Sequence, residues 1–232
     1  MKNLWDFKNE IRDSSFNFFE DGMIEYIFES LEKNNINFDK NCIEFGANDG
    51  VFLSNTRNLI LKGWNSIQIE ANESFYNKLK NLYINNNNVV CKQCYVESDA
   101  NSPNSYENIV TNIYGVDAKI SFLSIDIDGY DFSIFKNINK HLPLLFIIEN
   151  NSHLESFKNE GLTSITNLAK EKGYELLAYT GNSFFIKKEY FKFLNLKAQT
   201  PESAFKRYWE ECTQEDKKYL VTVFNPLEFW KR

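Results

Sequence analysis

Apolar positions along the chain form short unbroken runs, and these alternate with stretches in which apolar residues recur at helical spacing. The first run is Asn41 to Gly46, N-C-I-E-F-G, followed by A-N-D-G with a second glycine at Gly50. An apolar strand that stops at a glycine turn and opens a helix begins a nucleotide-binding α/β unit. Further strands are predicted at Trp64–Glu70, Asn88–Val96, Ile120–Asp126 and Leu142–Asn150. Helices are predicted between them at Val51–Leu61, Phe75–Tyr83, Tyr130–Ile138 and Leu162–Lys172, the last ending at Gly173. The run L-P-L-L-F-I-I-E-N is apolar throughout, as strands buried on both faces of a parallel sheet are. Glu97 to Ser105 is polar, contains Pro103 and reads as loop.

The alternation then breaks. Tyr174–Thr180 and Ser183–Lys188 are two strands joined by Gly181-Asn182, a hairpin signal. The fold class is therefore α/β, a seven-stranded, mostly parallel sheet with one antiparallel strand and helices on both faces. Ahead of the sheet, Met23, Ile24, Ile27, Phe28 and Leu31 mark an amphipathic helix, with Asp21 as its cap. Residues 1–40 are predicted as a helical cap over one edge of the core. Residues 191–232 are predicted as a helical extension, rich in Phe, Tyr and Trp, that packs on the core or builds a homodimer interface.

Composition narrows the class. At 232 residues the chain forms one substantial core, so 1–232 is expected to be a single domain. The net charge is −6 and Lys and Arg are scattered, which argues against nucleic acid as a partner. No apolar run has the ~20 residues of a membrane span. The N-terminus, M-K-N-L-W-D-F-K-N-E, is too charged for a signal peptide, so the cytoplasm is the expected location. Cys91 and Cys94 form a C-x-x-C without a second ligand pair, so these thiols read as core or near-ligand residues.

Ligands of open α/β sheets bind beyond the carboxyl ends of the strands. Acids stand at those ends: Glu70 after the second strand, Asp126 and Asp128 after the fourth, and Glu149-Asn150 after the fifth. Glu70 lies 24 residues past Gly46 (70 − 46), the place of a carboxylate that accepts ribose hydroxyls. The turn E-F-G-A-N-D-G lacks the central glycine of a dinucleotide site and adds Glu44 and Asp49, which would repel a pyrophosphate. The acids suit the positive ammonium and sulfonium groups of S-adenosylmethionine (SAM). An NAD(P)-dependent oxidoreductase is the alternative enzyme, and a non-catalytic partner subunit of the same fold is the alternative outside enzymes.

The ordered set E-F-G-A-N-D-G, S-N-T-x-N-L-I-x-x-x-G-W, I-E-A-N and S-I-D-I-D-G-Y-D resembles the FkbM-type class I SAM-dependent methyltransferases, in a bacterial subgroup with D-I-D-G after the fourth strand. The segments L-A-K-E-K-G-Y-E-L and T-G-N-S-F-F-I extend the resemblance, which covers roughly Asp21 to Lys188. It implies a Rossmann-like core over 41–190 with strand seven antiparallel. It implies that Glu44, Gly46, Ala47, Asn48, Asp49 and Gly50 hold the methionine end of SAM, Glu70 and Ala71 the ribose, and residues near Cys94 to Glu97 the adenine. Asp126 would complete the cofactor site. The resemblance implies SAM-dependent methyl transfer without naming the acceptor; the expected activity is O-methylation of a small polar or sugar-type acceptor of surface-glycan biosynthesis.

On the acceptor side, Tyr130, Glu149 and Asn150 are expected to line the pocket. His153, Asp128 and Asp126 are the candidate catalytic groups, His153 or Asp128 as general base. The arrangement of Asp126 with Glu149-Asn150 resembles the Mg²⁺ site of catechol-type O-methyltransferases, with Glu where that family has Asp. Oxygen ligands of this kind suit Mg²⁺.

Overall fold

The computed structural model describes residues 2–7, 20–150, 161–212 and 217. Its strands are β1 (Asn41–Phe45), β2 (Asn65–Glu70), β3 (Val89–Gln93), β4 (Phe122–Ile125), β5 (Leu145–Glu149), β6 (Tyr174–Tyr179) and β7 (Asn182–Lys187). They form one sheet of order β3-β2-β1-β4-β5-β7-β6. β7 runs antiparallel to both β5 and β6, while the pairings among β1 to β5 are parallel. This is the seven-stranded sheet with one reversed strand that the Gly181-Asn182 hairpin implies. β1 pairs with both β2 and β4, so the strand order reverses between β1 and β4. A crevice opens at such a switch point above the carboxyl ends of the strands.

The helices are α1 (Glu20–Lys33), α2 (Arg57–Leu61), α3 (Glu73–Leu82), α4 (Tyr106–Tyr114), α5 (Asp131–Asn137), α6 (Leu162–Glu171), α7 (Lys188–Phe191) and α8 (Pro201–Glu211). Right-handed crossovers place α2 and α3 on one face and α4, α5 and α6 on the other. Aromatic side chains join the layers. Phe135 of α5 lies 4.4 Å from Phe146 of β5, and Phe45 of β1 meets Tyr106 of α4 at 6.0 Å, ring centre to ring centre.

Four features differ from the sequence expectation. α2 is one turn long rather than spanning 51–61, because Glu44 draws the chain at 54–56 into its own hydrogen bonds. α4 has no counterpart among the predicted helices, although Ser105 caps it, accepting from the Asn108 N–H at 3.3 Å, and Ile109 and Val110 are buried beneath it. Asp21 sits inside the first turn of α1, not ahead of it. α1 also crosses a face of the sheet rather than an edge: Glu20 bonds to Thr180 and Asn182 beside β6 and β7, while Phe28 packs on Trp64 and Phe122. In the C-terminal extension, α8 spends Phe205 and Tyr208 on Tyr179 of β6. Its remaining residues, and the dimer interface expected of them, lie outside the described residues save Lys217.

Glu20 is buried, and burial pushes its pKa from 4.5 up to about 7; bonds from Thr180 and Asn182 oppose the rise and the charge of Asp21 adds to it. The folded chain therefore holds a proton there that the unfolded chain has released. The resulting stabilisation is full below the unfolded value and is lost as pH rises through about 7. We expect Tm to fall by roughly 5–10 °C between pH 5 and 8 on this account. Glu20→Gln keeps a neutral hydrogen-bonding end and should flatten much of that slope in thermal melts. An unchanged slope would contradict the assignment.

Candidate active site

The turn after β1 is built around two close approaches. Gly46 has φ +73°, and a Cβ there would lie 1.8 Å from the Asp126 carbonyl oxygen at the end of β4. Only glycine lets the two strand ends pass at this distance. Gly50 has φ +82°, and its Cβ would meet Leu79, Leu82 and Tyr83 at 2.7–3.0 Å. The Tyr83 hydroxyl donates to the Gly50 carbonyl at 3.2 Å. The second glycine thus makes room for α3. The Ala47 N–H donates to the Ile69 carbonyl at 2.9 Å and ties the turn to β2.

Glu44 is buried under the segment that follows. Its carboxylate accepts from Ser54 Oγ at 2.7 Å, Thr56 Oγ1 at 2.6 Å and the Asn55 N–H at 2.6 Å. Burial raises its pKa, against these three bonds. Its oxygens are therefore engaged in shaping the loop that walls the site. Glu44→Ala would leave three buried donors without their acceptor, at about 1–3 kcal/mol each. We expect Tm to drop by roughly 10 °C or more, with Ser54→Ala alone costing far less. Equal losses would contradict this role.

Asp49 also serves the backbone. Its Oδ1 accepts from the Phe52 N–H at 2.9 Å and the Val51 N–H at 3.0 Å, and these bonds hold its carboxyl below the usual range. It does not line the cavity, and neither do Ala47 and Gly50. These three expected methionine-end contacts shape the turn instead.

Above the strand ends lies a cavity of about 990 Å³. Glu44, Gly46, Asn48, Phe52, Leu53 and Asn55 wall it from the β1 side, and Glu70, Ala71, Asn72 and Phe75 from the end of β2 and the start of α3. Cys94 to Asp99 contribute the rim after β3. Ser124, Asp126, Asp128, Tyr130, Ile134 and Glu149 close the β4–β5 side. Glu70 is nearly buried, and each of its oxygens accepts one backbone N–H, from Asn48 at 2.8 Å and Asn72 at 2.6 Å. Each oxygen keeps a lone pair for a ligand hydroxyl. Three non-glycine wall residues adopt left-handed backbone, Asn48 at φ +50°, Leu53 at φ +58° and Asp128 at φ +57°. Strain of this kind, about 1–3 kcal/mol each, gathers where function requires a shape.

At the β4 end, Asp131 accepts from the Ile127 and Gly129 N–H groups at 2.9 Å each and so fixes the D-I-D-G turn. Sequence reasoning passed over it; an acid two residues after a glycine in a tight turn was the available signal. Asp126, Asp128 and Glu149 come together, one oxygen from each within 4.8 Å of the others. Burial pushes Asp126 up to about 7, and Glu149 is its hydrogen-bond partner. Of the expected Mg²⁺ set, Asp126 and Glu149 come together, with Asp128 as their third neighbour, while Asn150 is buried and does not line the cavity. The oxygen chemistry of the acidic trio is that of a hard-cation ligand set. Tyr130 lines the cavity, 71% exposed, while His153 lies outside the described residues.

No protein-family model and no curated protein sequence matches the chain. Solved structures do. A monomeric WbdD structure aligns with TM-score 0.50 at 12% identity, over 79% of this chain and 43% of that one. A precorrin-6y C5,15-methyltransferase from Geobacter metallireducens aligns at 0.42 and 12% identity, over 70% and 86%. A SAM-dependent methyltransferase from Clostridium acetobutylicum aligns at 0.35 and 17% identity, over 56% and 50%. The chain spans about two-fifths of the length of WbdD. At these identities the likeness is one of architecture. The sheet order and the reversed seventh strand are those of the class I methyltransferase fold.

Proposed function

We propose that the chain is a SAM-dependent methyltransferase that methylates an oxygen of a small polar or sugar-type acceptor. One observation supports this most: a single cavity at the β1/β4 switch point holds Glu70 on one side and the Asp126–Asp128–Glu149 group on the other. Its volume is at the upper end for small-molecule sites, enough for a cofactor together with an acceptor. Glu70 would accept the two ribose hydroxyls, Asn48 and Gly46 would border the methionine end, and Cys94 to Glu97 the adenine. SAM, when bound, supplies an electrophilic methyl group. The chain's own contribution is to align the acceptor oxygen with that methyl, exclude water and take the acceptor proton. Asp128, or the Asp126–Glu149 pair in its ionised form, is placed for that last step.

A dinucleotide fits poorly. Of the α2 start, the Arg57 N–H is already taken by Ser54 Oγ at 3.1 Å, and the turn ahead of it carries the Asp49 carboxylate, which would repel a pyrophosphate. Calorimetry should show S-adenosylhomocysteine binding at micromolar concentration and neither NAD nor NADP binding. The reverse preference would overturn the proposal. Turnover of [methyl-³H]SAM with acceptor extracts, retained in EDTA, would separate an enzyme from a non-catalytic subunit and from a metal-dependent one.

A further inference from the structure

We propose that the methyl acceptor is a cation, an amine-bearing hydroxy compound rather than a phosphorylated or carboxylated one. This rests on the methyltransferase reading of the same cavity and names the charge of its second ligand. The acceptor end is walled by Asp126, Asp128 and Glu149, while Glu97 and Asp99 add further acids on the β3 rim of the same cavity. Among the described residues, no Lys, Arg or His lines the cavity. Lys78 and Lys92 act electrostatically on Asp49 and Cys94, but neither is part of the wall. Even with a proton on Asp126, the wall is strongly negative. A phosphate or carboxylate brought there would meet like charge without a partner.

One helix start on the cavity wall points the same way. Asn72 takes the Ser74 and Phe75 N–H groups of α3, so that helix end does not offer them to an anion.

A second, independent feature favours a cation. Phe52 and Tyr130 line the cavity yet are 46% and 71% exposed, one on the loop after β1 and the other two residues beyond Asp128. Large exposed aromatic side chains on a binding wall mark a ligand contact. Aromatic faces beside carboxylates are the usual recognition chemistry of an ammonium group. Tyr130 lies two residues beyond Asp128 on the same wall, so an aromatic ring and a carboxylate line one side of the cavity.

Three probes with the same phenol ring and different ends test this: tyramine, 4-hydroxyphenylethanol and 4-hydroxyphenylacetate. Each is titrated calorimetrically into the protein saturated with S-adenosylhomocysteine. Affinity should fall from the cation through the neutral compound to the anion, by about tenfold or more overall. Asp128→Asn should shrink the gap between tyramine and 4-hydroxyphenylacetate several-fold, and Tyr130→Ala should weaken tyramine most. An anion that binds as well as the cation, or no binding by any of the three at millimolar concentration, overturns the proposal. The prior titration with S-adenosylhomocysteine separates the two levels. Its binding with an inverted or flat ranking defeats only the acceptor charge, whereas its failure to bind defeats the methyltransferase reading beneath.

Discussion

Gly46→Ala should leave little folded protein, and any that is recovered should melt more than 10 °C below the parent. The expected cost is steric. A methyl group at this position would sit 1.8 Å from the carbonyl oxygen of Asp126, inside the contact distance of any two heavy atoms. The colliding atom belongs to the backbone at the end of β4, which cannot swing away as a side chain would. Separating β1 from β4 would break the register that pairs Phe45 with Ile125. Left-handed backbone adds a further ~1–2 kcal/mol for a residue bearing a Cβ. A total above ~4 kcal/mol is a large share of the ~5–15 kcal/mol that holds an average domain folded. Gly63→Ala is the matched control. Its φ is +82°, yet nothing lies within 4 Å of the added Cβ. It should lower Tm by only about 2–4 °C. If both variants melt alike, close strand approach is not what Gly46 provides.

Glu70→Ala should weaken S-adenosylhomocysteine by about 100-fold. Two charge-assisted hydrogen bonds to ribose hydroxyls, at ~1.5–3 kcal/mol each, are removed together. The change also strips the Asn48 and Asn72 N–H groups of their acceptor, which would loosen the two loops that border the ligand. α3 itself should persist, because Asn72 caps it through its own side chain. Glu70→Gln, which keeps the shape and one carbonyl acceptor, should lose roughly tenfold. Melting curves of both variants run beside the calorimetry. A normal affinity in Glu70→Ala would remove Glu70 from the ribose site.

The sheet was legible because its signals are local. Each parallel strand reads as an unbroken apolar run, and the reversed strand is announced by Gly181-Asn182. The position of the site followed from topology, since acids at strand ends are visible once the strands are. What the individual acids do was not legible. Glu44 and Asp49 read as ligands from their charge, but both turn toward hydroxyl and N–H groups of the loop beside them. Such bonds depend on where residues 51–56 fold back, and no periodicity encodes that. α4 was missed because Pro103 and a polar run conceal the Ser105 cap. Asp128 joins the acidic trio through the left-handed turn that follows β4. That no basic residue lines the wall among the described residues is a property of the assembled cavity, with no counterpart in any single segment.

The central claim is that one cavity at the β1/β4 switch point holds both cofactor and acceptor. A crystal structure with S-adenosylhomocysteine tests it most directly. The account expects both ribose hydroxyls on Glu70, and the sulfur directed toward Asp126, Asp128 and Glu149 with open space between. A ligand seated elsewhere, or a sulfur facing away from those three carboxyl groups, would contradict it.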